Sequence, residues 1–214
     1  MRFPRALLVS AAFVLAAAVA AAWLYPALPD RVAVHWNVHG QIDGYWPRAW
    51  AAAFAPALIA LLAALAWALP AMSPRRYGIG SFAWVWHLAM LAGQGVVLVV
   101  GLAMLLRGAG HAVPVPTVAL LAVGALLMVV GNYMGKLRRN FFIGIRTPWT
   151  LTSDAVWERT HRLGGRLFVL AGLAIVLGAL WLRAFWLPLA CVAVATLVPC
   201  AYSFVLYRRL QRGG

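Results

Sequence analysis

Three groups of side chains stand at spacings that chemistry uses. Glu158 and His161 form Glu-x-x-His at i,i+3, half of the ligand set that carboxylate-bridged metal sites draw from paired helices. A second copy is missing; Asp154, one turn earlier, and Asn140 are the candidate neighbours to complete it. A solvated helix face carrying Glu158, Arg159, Thr160, His161 and Arg162 accounts for the same letters. His35, His39 and Asp43 lie at i, i+4 and i+8, a spacing that gathers ligands or a proton-sensing cluster only on a helix. In a turn region, histidines bonded to backbone explain them better. Arg146, shortly before Trp149, has a guanidinium able to stack on an indole or to grip a carboxylate with two hydrogen bonds. The plainer alternative is an arginine anchored at the headgroup level. Between the two, Pro148 cannot continue a helix, so Thr147 to Trp149 is expected to bend and fix the loop.

Neither a Ser/His/Asp order, nor a pair of carboxylates at an apolar pocket, nor a glycine-rich phosphate loop is present, so no catalysis and no cofactor are expected. Cys191 and Cys200 are nine residues apart in one apolar run. On a helix that is about 2.5 turns, with the side chains on opposite faces and too far apart for a disulfide.

The elements that must position these residues follow from composition. Of 214 residues, 65% are hydrophobic and 10% charged, and the mean hydropathy is +0.88, far from a soluble domain. Six segments free of Asp, Glu, Lys and Arg are long enough to span a bilayer or nearly so: 6–24, 50–69, 81–106, 113–134, 167–182 and 184–207. The fifth, at 16 residues, spans with local thinning or snorkelling of Arg166 and Arg183. It would form a tight hairpin with the sixth, turning at Arg183. The expected fold is an all-α integral membrane protein with six transmembrane helices, and no room is left for a large soluble catalytic domain.

The 18 Lys+Arg against 4 Asp+Glu give +14. In a soluble chain this balance would point to nucleic acid; here the charges fill short gaps between apolar runs and report topology, with no direct nucleic-acid binding. A cytoplasmic N-terminus puts fourteen basic residues inside and only Arg31, Arg48, Arg107 and Arg183 outside, so both termini are placed in the cytoplasm. Trp and Tyr residues cluster near the span ends, where amphipathic rings sit at the headgroups. An alternative for the first segment is a signal peptide, since Arg2 and Arg5 precede an alanine-rich run. Its 19 residues exceed the roughly 7 to 15 of a signal h-region.

Within the spans, His87, Gln94 and Asn132 are the main polar intruders. Hydrogen bonds between helices, each worth on the order of 1 kcal/mol, are their default use; a solute path past them is the alternative, which lacks the charged carrier a coupled transporter usually has. Gly131 and Gly135 form G-x-x-x-G, which permits close helix approach.

Two loops carry most of the remaining information. The outer loop, 25–48, balances Arg31 and Arg48 against Asp30 and Asp43, and holds Asn37, Gly40 and Gly44 as turn formers; it is expected to be compact and turn-rich, with Asp30 after Pro29 capping the exit from the first span. The inner loop, 136–166, has seven basic and two acidic residues. Within it, Thr152 or Ser153 as N-cap, Asp154 in the first turn and Glu158 with Arg162 at i,i+4 predict a short amphipathic helix at the inner surface over 153–163. Gly164 and Gly165 are expected to end it before the fifth span.

The stretch GNYMGKLRRNFFIGIRTPWTLTSDAVWERTHRLGG, Gly131 to Gly165, resembles the signature of the SdpI family of bacterial membrane proteins. LPDRVAVHWNVHGQIDGYWPR, Leu28 to Arg48, looks like the domain of unknown function, DUF1648, that commonly precedes it there. The resemblance divides the chain into a leading two-span domain, 1–72, and a four-span domain, 73–214. It implies a multi-pass protein of the bacterial cytoplasmic (inner) membrane, of an immunity and signalling type, that meets a membrane-active peptide toxin and draws a cytoplasmic transcriptional regulator to the bilayer. Matched onto this sequence, the inner-loop recognition residues would be Asn140, Gly144, Arg146, Thr147, Pro148, Trp149, Trp157 and His161, and the outer-loop residues Pro29, Asp30, His35, Asn37, Gly40 and Asp43. A small transporter or channel and a metal-dependent membrane enzyme are the competing classes. Toxin, regulator and oligomeric state are not identified by these residues.

Overall fold

The computed structural model describes residues 3–72, 78–140, 142–182 and 186–212. The sequence-based placements of Arg2, Arg75, Arg76 and Phe141, and the turn at Arg183, lie outside them. Among the described residues there are seven α-helices and one hairpin: α1 (Phe3–Leu24), β1 (Arg31–Trp36), β2 (Ile42–Pro47), α2 (Arg48–Ala71), α3 (Ala83–Gly108), α4 (Val115–Met134), α5 (Pro148–Thr152), α6 (Asp154–Leu177) and α7 (Leu187–Arg212). Six stretches are long and apolar enough to cross a membrane: Arg5–Ala27, Arg48–Ala71, Gly80–Gly108, Val115–Met134, Asp154–Leu182 and Leu187–Arg212. The chain is thus a multi-pass membrane protein.

α1, α2 and α3 pack on one another, α3 also touches α4, and α6 lies between α4 and α7. Small residues set these distances, because lipid gives helices no hydrophobic reason to associate and van der Waals fit must supply it. Ala17, Ala55 and Ile59 meet Phe13, Val97 and Leu98 where α1, α2 and α3 converge. Between α4 and α6 the contact is glycine on glycine. A Cβ at Gly131 would stand 2.6 Å from the Gly165 carbonyl oxygen, and one at Gly165 would stand 2.6 Å from that of Gly131. Two turns further on, Gly124 and Gly172 repeat the arrangement. The expected Gly131/Gly135 pair is therefore corrected. A Cβ at Gly135 would meet only Arg162 Cγ, at 3.7 Å, and the close approach uses Gly124 with Gly131 and Gly165 with Gly172.

The same contacts correct the reading of the inner amphipathic helix as a separate element. α6 starts at Asp154, with Ser153 as N-cap accepting from the Val156 N–H at 3.4 Å, and runs through Gly164 and Gly165 without interruption. Each glycine costs a helix interior about 1 kcal/mol relative to alanine. Here any side chain would cost more: a Cβ on Gly164 would press on Ile145 Cδ1 at 2.6 Å, and one on Gly165 on α4. The amphipathic start and the fifth span are one helix, followed by a single turn of wide π-helix, Gly178–Leu182.

The outer loop is a β-hairpin rather than a cluster of turns. Val32, Val34 and Trp36 are β-formers in alternation. Val32, 1% exposed, seats the sheet on Ala21, Leu24, Leu28, Ala51, Ala52 and Leu105. β1 and β2 pair antiparallel from Arg31↔Pro47 to Trp36↔Ile42, with irregular register around His35. Asn37 closes the turn: its side-chain oxygen accepts from the backbone of His39 (2.9 Å) and Gln41 (3.1 Å), and Gly40 takes φ 75°. At the base, the Arg48 N–H donates to the Asp30 carbonyl at 3.0 Å, so Asp30 ties the hairpin ends together.

Candidate functional site: the inner loop

Leaving α4 at Met134, the chain enters a stretch with little regular structure, whose backbone polar groups need partners. Asn140, fully buried, supplies four. Its amide nitrogen donates to the carbonyls of Arg138 (2.8 Å) and Ile143 (3.1 Å), and its oxygen accepts from the N–H groups of Phe142 (2.8 Å) and Ile143 (2.9 Å). This is the Asx geometry in which a short amide replaces a turn's own backbone bonds. Gly144 follows at φ 115°. A Cβ there would collide with His161 Nε2.

His161, also fully buried, reaches the loop from α6. Its Nε2 accepts from the Ile145 N–H at 3.0 Å and its Nδ1 lies 2.8 Å from the Trp157 carbonyl oxygen. A carbonyl can only accept and an N–H can only donate, so the partners fix a neutral imidazole with its proton on Nδ1. The ring stacks on Trp157, centroids 4.0 Å apart, and the Trp157 indole donates to the Leu137 carbonyl at 2.8 Å. Loop and helix are thereby joined at both ends of one aromatic pair.

Thr147 begins α5 with a capping box. Its hydroxyl accepts from the Thr150 N–H at 3.2 Å, and the Thr150 hydroxyl accepts from the Thr147 N–H at 2.9 Å. Thr150, fully buried, also donates to the Ile145 carbonyl at 2.8 Å. Two contacts hold α5 to α7: Thr147 shares a 3.0 Å hydrogen bond with Ser203, and Trp149 packs on Phe204 with centroids 4.9 Å apart. The predicted bend at Thr147 to Trp149 is thus the capped start of a short helix.

Charges surround this framework. Arg139 donates to the Leu151 carbonyl at 3.0 Å and pairs with Asp154 at 3.1 Å; Arg138 pairs with Glu158 at 2.9 Å. The expected Glu158–Arg162 pair is replaced by this longer-range one, because the loop brings Arg138 over α6. Glu158 and His161 accordingly have other work than joint metal ligation. Among the described residues no three of His, Cys, Asp and Glu gather closely enough to hold a metal. His161 is also the reverse of the solvated residue the sequence suggested.

Of the inner residues singled out from sequence, Asn140, Gly144, Thr147, Trp157 and His161 converge on the loop's interior, while Arg146 and Pro148 are exposed and Trp149 is half-buried. Thr150 and Ser203 belong to the same framework and were not anticipated; Thr150 sits three residues after Thr147, the spacing of a capping partner. The outer set, Pro29, Asp30, His35, Asn37, Gly40 and Asp43, lies in and around the hairpin, far along the chain and at the other end of the helices. There His35 Nδ1 bonds the Asp43 carboxylate across the strands, both side chains exposed, instead of bonding backbone. His87 and Gln94 line a small cavity with Ser10. Asn132 lies elsewhere, exposed on α4, so the three do not line a common path.

Six long apolar helices, a small hairpin at one end and a buried polar framework of Asn140, Thr150, His161 and Ser203 at the other define a multi-pass helical membrane protein. Residues 136–203 match the SdpI/YfhL protein family, and residues 12–60 match a domain of unknown function, DUF1648. The chain thus carries an SdpI/YfhL-like region in its second half, preceded by a DUF1648-like region. It is similar to the immunity protein SdpI of Bacillus subtilis (strain 168), at 28% identity over 129 residues, which cover 58% of this chain and 62% of that protein. Less than two thirds of that relative's length is therefore spanned. No solved structure matches the chain.

Proposed function

We propose that this chain is an immunity-type protein of a bacterial cytoplasmic membrane, which counters a membrane-active peptide toxin and engages a cytoplasmic regulator through its inner loop. The observation that carries this reading is the inner framework: Asn140, Thr150 and His161, each fully buried, satisfy the irregular backbone of 138–147, while Arg146 and Pro148 remain at the surface. A loop held this firmly presents its exposed residues in one geometry, which lowers the ordering entropy a partner must overcome. The similarity to a protein named for immunity supports the same reading. The division into a two-span unit, 1–72, and a four-span unit, 73–214, belongs to the proposal, with the hairpin as its outer face.

The test is replacement of the relative. A Bacillus subtilis strain lacking its own SdpI, and expressing this chain, is scored for survival beside its wild-type parent. Survival restored by wild type supports immunity; no protection from a protein that is correctly inserted overturns it. Mild-detergent purification of wild type and Arg146→Ala from native membranes addresses the second half: a cytoplasmic protein retained by wild type alone supports recruitment through the loop, and equal recovery with both removes Arg146 from it.

A further inference from the structure

The chain has four acidic side chains, Asp30, Asp43, Asp154 and Glu158, and each already has a partner other than Arg162 or Arg166: Arg48 at 4.0 Å, His35, Arg139 at 3.1 Å and Arg138 at 2.9 Å. Arg162 and Arg166, one turn apart on α6 and both exposed, are thus left without a carboxylate of their own. They border a groove between α4 and α6. The groove exists because Gly131 and Gly165 bring the two backbones together and Gly135 adds no side chain above them. Asn132, exposed on α4, lies along it, and Val169 with the exposed Leu170 continue it toward the membrane interior.

Read from the inner surface inward, the groove offers two guanidiniums and an amide, then an apolar wall. That is the polarity order of a phospholipid in the inner leaflet. Guanidinium forks match phosphate oxygens, and basic pockets between spans on the cytoplasmic side suit anionic headgroups. We propose that this groove is a binding site for an anionic phospholipid, its phosphate held by Arg162 and Arg166 with Asn132 donating, and one acyl chain laid against Val169 and Leu170. The site is separate from the surface of Arg146 and does not depend on the immunity reading.

The experiment is native mass spectrometry of the purified full chain titrated with phosphatidylglycerol, cardiolipin or phosphatidylcholine, for wild type, R162Q/R166Q, R208Q/R209Q and Gly135→Leu. Arg208 and Arg209 sit in the last turns of α7, so their variant removes equal charge from the same side. Gly135→Leu fills the groove and leaves every charge in place. Wild type is expected to retain the anionic lipids over phosphatidylcholine, with affinity falling about ten- to thirtyfold in R162Q/R166Q, falling comparably in Gly135→Leu, and changing less than about twofold in R208Q/R209Q. Equal losses in the two arginine doubles, unimpaired binding in Gly135→Leu, or no preference for anionic lipid would each overturn the site. Should R162Q/R166Q fail to fold, Gly135→Leu and R208Q/R209Q decide the question between them.

Discussion

The indole N–H of Trp86 donates to the carbonyl oxygen of Ala66 at 3.0 Å, joining α3 to α2 at a fully buried position. That carbonyl would ordinarily accept from the residue four positions on, which is Pro70 and has no N–H. Proline thus frees an acceptor in an apolar interior, and the indole from the neighbouring helix satisfies it. Trp86→Phe is expected to destabilise the protein by about 1–3 kcal/mol, the cost of an orphaned buried acceptor plus lost packing. In a Pro70→Ala background, where the helix supplies its own donor, the same substitution should cost less. Thermal unfolding of the four proteins in detergent, read as a double-mutant cycle, measures the difference; additive effects would refute the coupling.

Gly144→Ala should loosen the inner loop. It combines a φ of 115° with a collision against the His161 ring, and strained backbone of this kind costs about 1–3 kcal/mol. The expected result is faster proteolysis within 137–153 at unchanged helix content by circular dichroism.

His161→Leu leaves the Ile145 N–H without an acceptor and is expected to cost about 1–3 kcal/mol. If the loss runs through the loop, hydrogen exchange should accelerate at Ile145 more than at residues of α1.

Glycines in the spans should separate into two classes. Gly131→Ala drives a methyl into the Gly165 carbonyl and Phe168, with an expected loss of about 1–3 kcal/mol. Gly93→Ala meets nothing within 4 Å and should be neutral or gain up to about 1 kcal/mol in helix propensity. Melting temperatures in one detergent decide this directly, and equal effects at both positions would contradict the packing described.

Gln94 is fully buried and its amide has no hydrogen-bond partner among the described residues. Replacing an unsatisfied buried polar group by an apolar one of similar size is close to neutral or stabilising, so Gln94→Leu is expected to keep or raise the melting temperature. A fall of several degrees would assign the amide a partner.

The spans were readable because uninterrupted apolar length is itself the signal, and no tertiary information is needed to see it. The elements that differ from expectation depend on distant contacts. Gly164 and Gly165 carry a local instruction to stop a helix, and α4, some thirty residues earlier in sequence, reverses it. A signal for that reversal was present: Gly124 and Gly131 repeat at seven residues, as do Gly165 and Gly172, the period of a helix–helix seam. The hairpin was likewise signalled by Val32, Val34 and Trp36 beside an Asn-and-Gly turn, but the turn formers alone set the expectation of a turn-rich loop. In the inner loop Asn140, Gly144, Thr147, Trp157 and His161 were recognised, Thr150 and Ser203 were not, and the work of the recognised residues was not foreseen. Asn140 acts on neighbours two or three positions away, which sequence alone can anticipate, whereas the bond from Ile145 to His161 spans sixteen residues and closes only once α6 has packed on the loop.

Because α6 passes through its two glycines unbroken, it behaves mechanically as one rod. Its 24 residues extend about 36 Å, more than the roughly 30 Å hydrocarbon thickness of a bilayer. Pivoted at its outer end, a tilt of about 5° would carry its first turn sideways by about 3 Å over that length. Trp157 and His161 ride on that first stretch of the rod and the loop is bonded to both, so a displacement of that size at one end of α6 would move the loop with it.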